Sequence, residues 1–510
     1  MKKKYVRWTL WTIASPFILF VILCILIYLP PIQNFLVDKA AVYASEATGM
    51  NISVGRISLS FPLNLVVTDV DAASPHKDTL LSVRRLQVNV QLLPLLKKQV
   101  EVDGISLQGA TVNSNDLIHG MRLNGTLGEL FISSHGVALD PETAIVNKVL
   151  LKDTDLSLCL NDTAAADTAA SDPTYWKIIL QDIDLQNVSF ALDMPLDSLS
   201  LAASLDNATL RDGLIDLHKS AYSLQTFRIK NGRVRYDSGR PSATASADSL
   251  SAGLDPSHIA LTDIGVKLDS LYYEGRNMKA IISQFVLKER SGVEIVSATG
   301  RMVSNDKVLR VPSLKLETRD SYLELNAAMD WDALDFKKEG LVSARLMADI
   351  GKPDVVRFMG SMDEKFIRKY PSEPLRIRTG IDGDLNKLKL TTLTAELPGA
   401  LELFAKGELT SLTDSLLRGG DITLQAETKD LKFISTLAEG IEIPYGTRLE
   451  GKFTMAGPKM GTDLLLMQPE AHAVAAADTI PITVYNDSIS VADDFKMERA
   501  ARLFAKYDLS

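Results

Sequence analysis

Six histidines, two cysteines and a set of Asp-x-Asp pairs are the residues through which this chain would hold a metal or run a reaction, and their spacing favours neither. His76, His119, His135, His218, His258 and His472 never approach the i, i+4 pairing that sets two imidazoles on one helix face around zinc. No Gly-x-Ser-x-Gly elbow lifts a serine out of a strand as a nucleophile. Gly457-Pro-Lys-Met-Gly461 lacks the closing Gly-Lys-Ser/Thr of a phosphate-cradling loop. Asp69 and Asp71, Asp153 and Asp155, and Asp182 and Asp184 have the types to bind a cation, but alternate carboxylates are more commonly the wet side of a strand. Cys24 lies in an apolar run and Cys159 far from it, which leaves no disulfide framework. The expectation is a protein that is not an enzyme, with no cofactor and no metal site.

The chemistry left is that of apolar surface. Four stretches, beginning at Ile105, Val149, Ile183 and Phe227, share apolar residues at their first, third and eighth places and a turn-prone or small residue at the fifth. The apolar sets are Ile105, Leu107 and Val112; Val149, Leu151 and Leu156; Ile183, Leu185 and Phe190; and Phe227, Ile229 and Val234. Leu158, Leu192 and Tyr236 add a tenth place in three copies, where the first has Ser114. The spacings are 44, 34 and 44 residues. The places before and after the fifth have opposite parity, so an unbroken strand would send them to opposite faces. A two-residue hairpin resets the register, and Asn231-Gly232 is a dipeptide that a type I′ turn prefers. A β-bulge resets it too, and suits Asn187-Val188 better because valine resists a positive φ. Either device gathers the apolar residues on one side. In a sandwich a second sheet covers that side, whereas stacked repeats favour a long curled sheet with an open apolar trough.

The elements that carry these positions follow from the rest of the chain. Trp8 to Leu29 is a 22-residue stretch without a charge, preceded by Lys2, Lys3, Lys4 and Arg7. As a helix it is long enough to span a bilayer, and the basic flank predicts a cytoplasmic N-terminus with the body delivered to the far side. A cleaved signal peptide is the competing reading; Pro30 and Pro31 follow the run, and the nearest small-residue site, Val42-Tyr43-Ala44, lies well beyond it. Residues 32–48 read as a short helix ended by Gly49, after which the period becomes two: Ile57, Leu59 and Phe61, then Leu86, Val88 and Val90. Val355, Phe358, Met359, Met362 and Phe366 keep helical spacing between Pro353 and Pro371. A net charge of −9 with both signs interspersed gives no electrostatic footprint for nucleic acid.

The predicted fold is therefore mainly β. An N-terminal transmembrane helix precedes an elongated, curled, repetitive β-sheet forming an open groove, with a few amphipathic helices. The organisation read from the chain is a basic flank and anchor at 1–31, a short helix at 32–50, a β-groove region at 51–352, an amphipathic helix and connection at 353–374, a second β-rich groove region at 375–470 and an irregular tail at 471–510, with a short helix at 493–507. Asn161 to Thr174, small, polar and low in complexity, reads as a solvated excursion between strands.

The single anchor, the short helix ending in Thr48-Gly49, and Ser53-Val-Gly-Arg-Ile-Ser-Leu-Ser-Phe-Pro-Leu-Asn-Leu-Val-Val-Thr-Asp-Val70 resemble the opening of the AsmA-like family, its TamB-type members in particular. Leu92-Leu-Pro-Leu-Leu-Lys97, Val100-Glu-Val-Asp-Gly-Ile-Ser-Leu-Gln-Gly-Ala-Thr-Val112 and Gly383-Asp-Leu-Asn-Lys-Leu-Lys-Leu390 are similar to its later β units. The resemblance implies a bacterial inner-membrane protein whose β-groove projects into the periplasm and supports outer-membrane biogenesis by carrying phospholipid. On that implication the fifteen apolar positions named above, from Ile105 to Tyr236, line a lipid groove. The alternative it implies is a scaffold for outer-membrane protein assembly beside a β-barrel partner. TamB-type chains carry a characteristic C-terminal domain that is not identifiable here, which reads as a shorter AsmA-like protein or a truncated chain.

Overall fold

The computed structural model describes residues 49–467 apart from 61–63, 75–78, 92–101, 115–119, 139–141, 162–174, 240–252, 336–337, 339, 359–363, 385, 413–416, 437–444 and 457–458, together with a few residues between 39 and 46 and two short strands within 480–490. The apolar run Trp8–Leu29, most of the helix expected at 32–48, the excursion at 162–174 and the helix expected at 493–507 lie outside them. The described chain is mainly β, and no helix among the described residues is long and apolar enough to cross a membrane. It divides into two units, residues 1–240 and 241–510.

The strands of the first unit are β1 (Asn51–Ser60), β2 (Asn64–Ala73), β3 (Thr79–Val90), β4 (Val102–Asn113), β5 (Met121–Ala138), β6 (Thr143–Leu160), β7 (Lys177–Met194), β8 (Leu199–Asp216), β9 (Ala221–Leu224) and β10 (Thr226–Asp237). From β1 to β6 each pairs antiparallel with the next. β7 then lies parallel to β6, with Val149 beside Ile183 and Leu158 beside Leu192. β8 returns antiparallel to β7 and pairs in turn with β9 and β10.

Each of the four repeat copies is a single continuous strand, neither a hairpin nor a bulge with an extra residue. The fifth place adopts a left-handed conformation: Gly109 at φ 64°, Asp153 at 49°, Asn187 at 52° and Asn231 at 54°. Asp69 on β2 does the same at 56°. These strands all run one way. On the strands running the other way, the same transverse line is occupied by Gly55, Arg84, Gly128 and Asp206, all with negative φ. The ladder register is unchanged across the line, as in Leu107 facing Leu130 and Ala110 facing Leu127. One residue per strand thus leaves the pleat, alternation resumes, and the apolar residues on both sides share a face.

Glycine, asparagine and aspartate occupy the left-handed positions because a larger or branched side chain meets its own carbonyl there, at about 1–2 kcal/mol. Asn187 adds a hydrogen bond, donating from Nδ2 to Asp153 Oδ1 at 2.9 Å, and Asn231 donates likewise to Asp206. Asn187→Val is expected to lower unfolding stability by about 2 kcal/mol, from the lost left-handed preference and hydrogen bond together. Asn187→Gly, which keeps the backbone free, should lose less than half of that. Urea midpoints of the two variants check the difference; equal losses would refute the backbone explanation.

In the second unit β11 (His258–Glu274), β12 (Asn277–Glu289), β13 (Glu294–Ser304), β14 (Val308–Thr318), β15 (Ser321–Asp330) and β16 (Val342–Ile350) form an antiparallel meander. Two short helices, α1 (Lys352–Phe358) and α2 (Glu364–Lys369), follow in the segment where the spacing predicts one. The meander then resumes with β17 (Leu375–Gly383), β18 (Lys387–Leu397), β19 (Leu401–Thr410), β20 (Gly419–Thr428), β21 (Arg448–Ala456), β22 (Lys459–Met467), β23 (Ile480–Tyr485) and β24 (Ser488–Ser490). β16 and β17 pair without interruption from Ile350 facing Leu375 to Val342 facing Gly383, so the helices are an excursion at one end of a continuing sheet.

That excursion contributes to an apolar cluster of the second unit. Phe366, Tyr370, Leu397, Ala400, Leu431 and Phe433 are buried together, with Val355, Ile367, Leu375, Leu401 and Ile434 packed against them. The Phe366, Tyr370 and Phe433 rings meet at centroid distances of 5.2–5.8 Å, tilted or edge-on as aromatic quadrupoles prefer. Phe358, predicted on the same apolar side as Phe366, is 55% exposed instead. Buried Asp354 in α1 ties the excursion to the β14–β15 turn: it accepts from Thr318 Oγ1 and Ser321 Oγ and pairs with Arg357 at 2.9 Å.

Candidate apolar binding face

The ladder registers align the repeat copies side by side. Ile105, Ile132, Val149, Ile183, Leu210 and Phe227 form one row across β4 to β8 and β10, and Leu59, Leu65 and Val88 continue it through β1, β2 and β3. The next row runs Ile57, Val67, Leu86, Leu107, Leu130, Leu151, Leu185, Ala208 and Ile229. Beyond the left-handed line, Val112, Leu156, Phe190 and Val234 share a row with Gly125 and Ala203. Leu158, Leu192 and Tyr236 share another with Leu123 and Leu201. Gly125 is the small member for a steric reason: a Cβ there would sit 2.1 Å from the Asp155 carbonyl oxygen.

All fifteen expected positions therefore fall into four rows on one face. A fifth row, directly beyond the left-handed line, escaped the sequence comparison: Val54, Val70, Val83, Ala110, Leu127, Thr154, Val188, Leu205 and Gly232. It includes Val83, Ala110 and Thr154, which are buried. Its sixth place in the repeat holds Ala, Thr, Val and Gly, too mixed in polarity to register as an apolar position.

The second unit repeats the arrangement with other residues. Val266, Phe285, Ala298, Leu316, Leu323, Ala348, Ile377, Ala395, Leu403, Ala426 and Leu449 form one row across β11 to β21. Val311, Ala327, Ala344, Ile381, Leu390, Gly407, Ile422 and Phe453 form a parallel one. From β14 to β21 the apolar face has a footprint on the order of 700 Å² at ordinary strand spacing.

Cover distinguishes the parts of this face. Where α2 and the segment after β20 lie over the strand ends, Leu397 is 3% exposed and Ala400 wholly buried. A few residues along the same strands, Leu393, Leu403 and Leu424 are half-buried. In the first unit the buried hydrophobic residues are Ala72, Leu80, Val83, Ala110, Ala208 and Ala221, mostly alanines, while the leucines, isoleucines and Phe190 of the rows stay half-buried or exposed.

The opposite face is polar and, in the second unit, laced with cross-strand ion pairs: Arg378 with Asp349 at 2.7 Å, Arg376 with Glu396 at 3.3 Å and Lys452 with Asp421 at 2.8 Å. The Lys452 ammonium holds the Asp421 carboxyl below its ordinary range. The Asp-x-Asp pairs belong to this polar dressing. Arg211 on β8 engages both Asp182 and Asp184, and Asp153 accepts from Asn187. Comparison with protein-family models and with curated proteins finds no match for this chain.

Proposed function

We propose that this chain is an AsmA-like lipid carrier of the bacterial cell envelope, held in the inner membrane by Trp8–Leu29 with its body in the periplasm, and that phospholipid tails lie along the apolar rows. The observation that carries the proposal is the half-buried state of those rows, set against the full burial of like residues under α2. Each methylene moved from water onto such a surface gains about 0.8 kcal/mol, so an acyl chain is a fitting cover, with its headgroup left in water at the rim. Carriage of this kind needs no catalytic group, because the lining alone removes the cost of passing tails through water. The resemblance to AsmA-like chains between Ser53 and Leu390 supports the same reading. The test is lipid extraction from the purified full chain after detergent removal. Phospholipid at one or more molecules per chain is expected; a lipid-free chain that still supports outer-membrane protein assembly would favour the scaffold.

A further inference from the structure

We propose that the polar side of β10 is a docking site for an acidic, extended segment of a partner protein, independent of what the apolar face carries. Arg228, Lys230, Arg233 and Arg235 all project from this strand away from Phe227, Ile229, Val234 and Tyr236, and all four are exposed. The left-handed turn at Asn231 is what keeps them together, since it returns residues 233 and 235 to the face of 228 and 230. The cations face neutral partners on β8: Thr209, Asn207, Ser204 and Ala202. Arg233 has one carboxylate nearby, Asp206 at 3.8 Å, itself already accepting from Asn231. Arg228, Lys230 and Arg235 have no ion pair among the described residues.

In the second unit Arg376, Arg378 and Lys452 on the polar face each pair with a carboxylate on a neighbouring strand. Four like charges in one line, in a chain of net charge −9, depart from that pattern. Like charges so placed repel one another, and an anionic occupant relieves the repulsion. The shape of the patch selects the occupant. Arg228 and Lys230, and Arg233 and Arg235, stand about 6.6 Å apart, the repeat of alternate side chains in an extended peptide; about 10 Å separates the two pairs, and the line is about 23 Å long. Three of the four are arginines, whose forked guanidinium grips a carboxylate with two parallel bonds. A membrane surface would call for a basic patch spread in two dimensions, whereas the residues of β8 directly opposite the four cations are uncharged and Asp206 beside them is acidic.

The experiment uses the purified full chain and a fluorescent peptide of alternating Glu and Thr, long enough to span Arg228 to Arg235, read by anisotropy at low and physiological salt. Arg228→Glu with Arg235→Glu is expected to weaken binding about tenfold or more, and added salt to weaken the wild type. The control Arg301→Glu with Arg310→Glu, two exposed cations of β13 and β14, makes the same change in net charge and should leave binding intact. If the reversed pair destabilises the fold, Arg228→Gln with Arg235→Gln gives the same comparison with a smaller loss. No peptide binding by the wild type, or equal loss in both double variants, overturns the proposal. So does binding to vesicles of equal phosphatidylglycerol and phosphatidylcholine in place of the peptide.

Discussion

A carboxylate at Leu185 or Ile229 is expected to strip lipid from the protein while leaving it folded. Both residues lie in the second apolar row, half-buried, with water able to reach a charge there as long as no tail covers it. Covering that charge with hydrocarbon costs several kcal/mol, and each 1.4 kcal/mol is about a tenfold change in occupancy. Leu185→Asp and Ile229→Asp should therefore reduce the phospholipid recovered per chain at least about tenfold where the tail path crosses the row. Gln186→Asp, the next residue on the opposite face, should leave it unchanged. Abundance and protease resistance measured alongside separate loss of lipid from loss of fold. Variants that stay folded and keep a normal lipid load would contradict the apolar path.

Phe366→Ala should have the largest effect on stability. The ring is 3% exposed and touches Tyr370 and Phe433, and truncating such a side chain costs about 3–5 kcal/mol in lost transfer energy and cavity. The loss should be local, since this cluster is the second unit's aromatic core, at the ends of β17 to β20. Hydrogen exchange read by peptide is expected to show lost protection in Tyr370 to Leu375 and Leu397 to Leu401, with the strands of the first unit unaffected. Phe358→Ala, at a ring 55% exposed, should change protection little. Equal effects at the two positions would mean that the cap is not what buries these strand ends.

How much of this was legible in the sequence depends on strand direction. The spacing of 34 residues between Val149 and Ile183 is the parallel register of β6 and β7 itself, and the two spacings of 44 each skip one antiparallel strand. Reading the copies forward therefore found the strands that run one way and passed over β5 and β8, whose Ile132, Leu130, Leu210 and Ala208 fill the same rows in reverse order. The fifth-place residues were visible as turn formers. Their outcome, a left-handed residue inside a continuous strand, is set by the neighbouring strands, because each must leave the pleat on the same line for the ladder to survive. The excursion near residue 360 was legible as apolar and helical. Its division into two helices follows from tertiary anchoring, with Asp354 fixed to the β14–β15 turn and Phe366 drawn into a cluster assembled from residues up to 67 positions away.

The central claim is that the apolar rows hold lipid tails, and site-resolved photo-crosslinking in cells tests it most directly. Crosslinkers would be placed at Leu107, Leu151, Leu185 and Ile229, which lie in one row, and at Gln108, Lys152, Gln186 and Lys230, each one residue further along its strand on the other face. The account predicts phospholipid adducts at the first set and none at the second. Equal labelling of both sets, or no labelling of either in a functional protein, would contradict it.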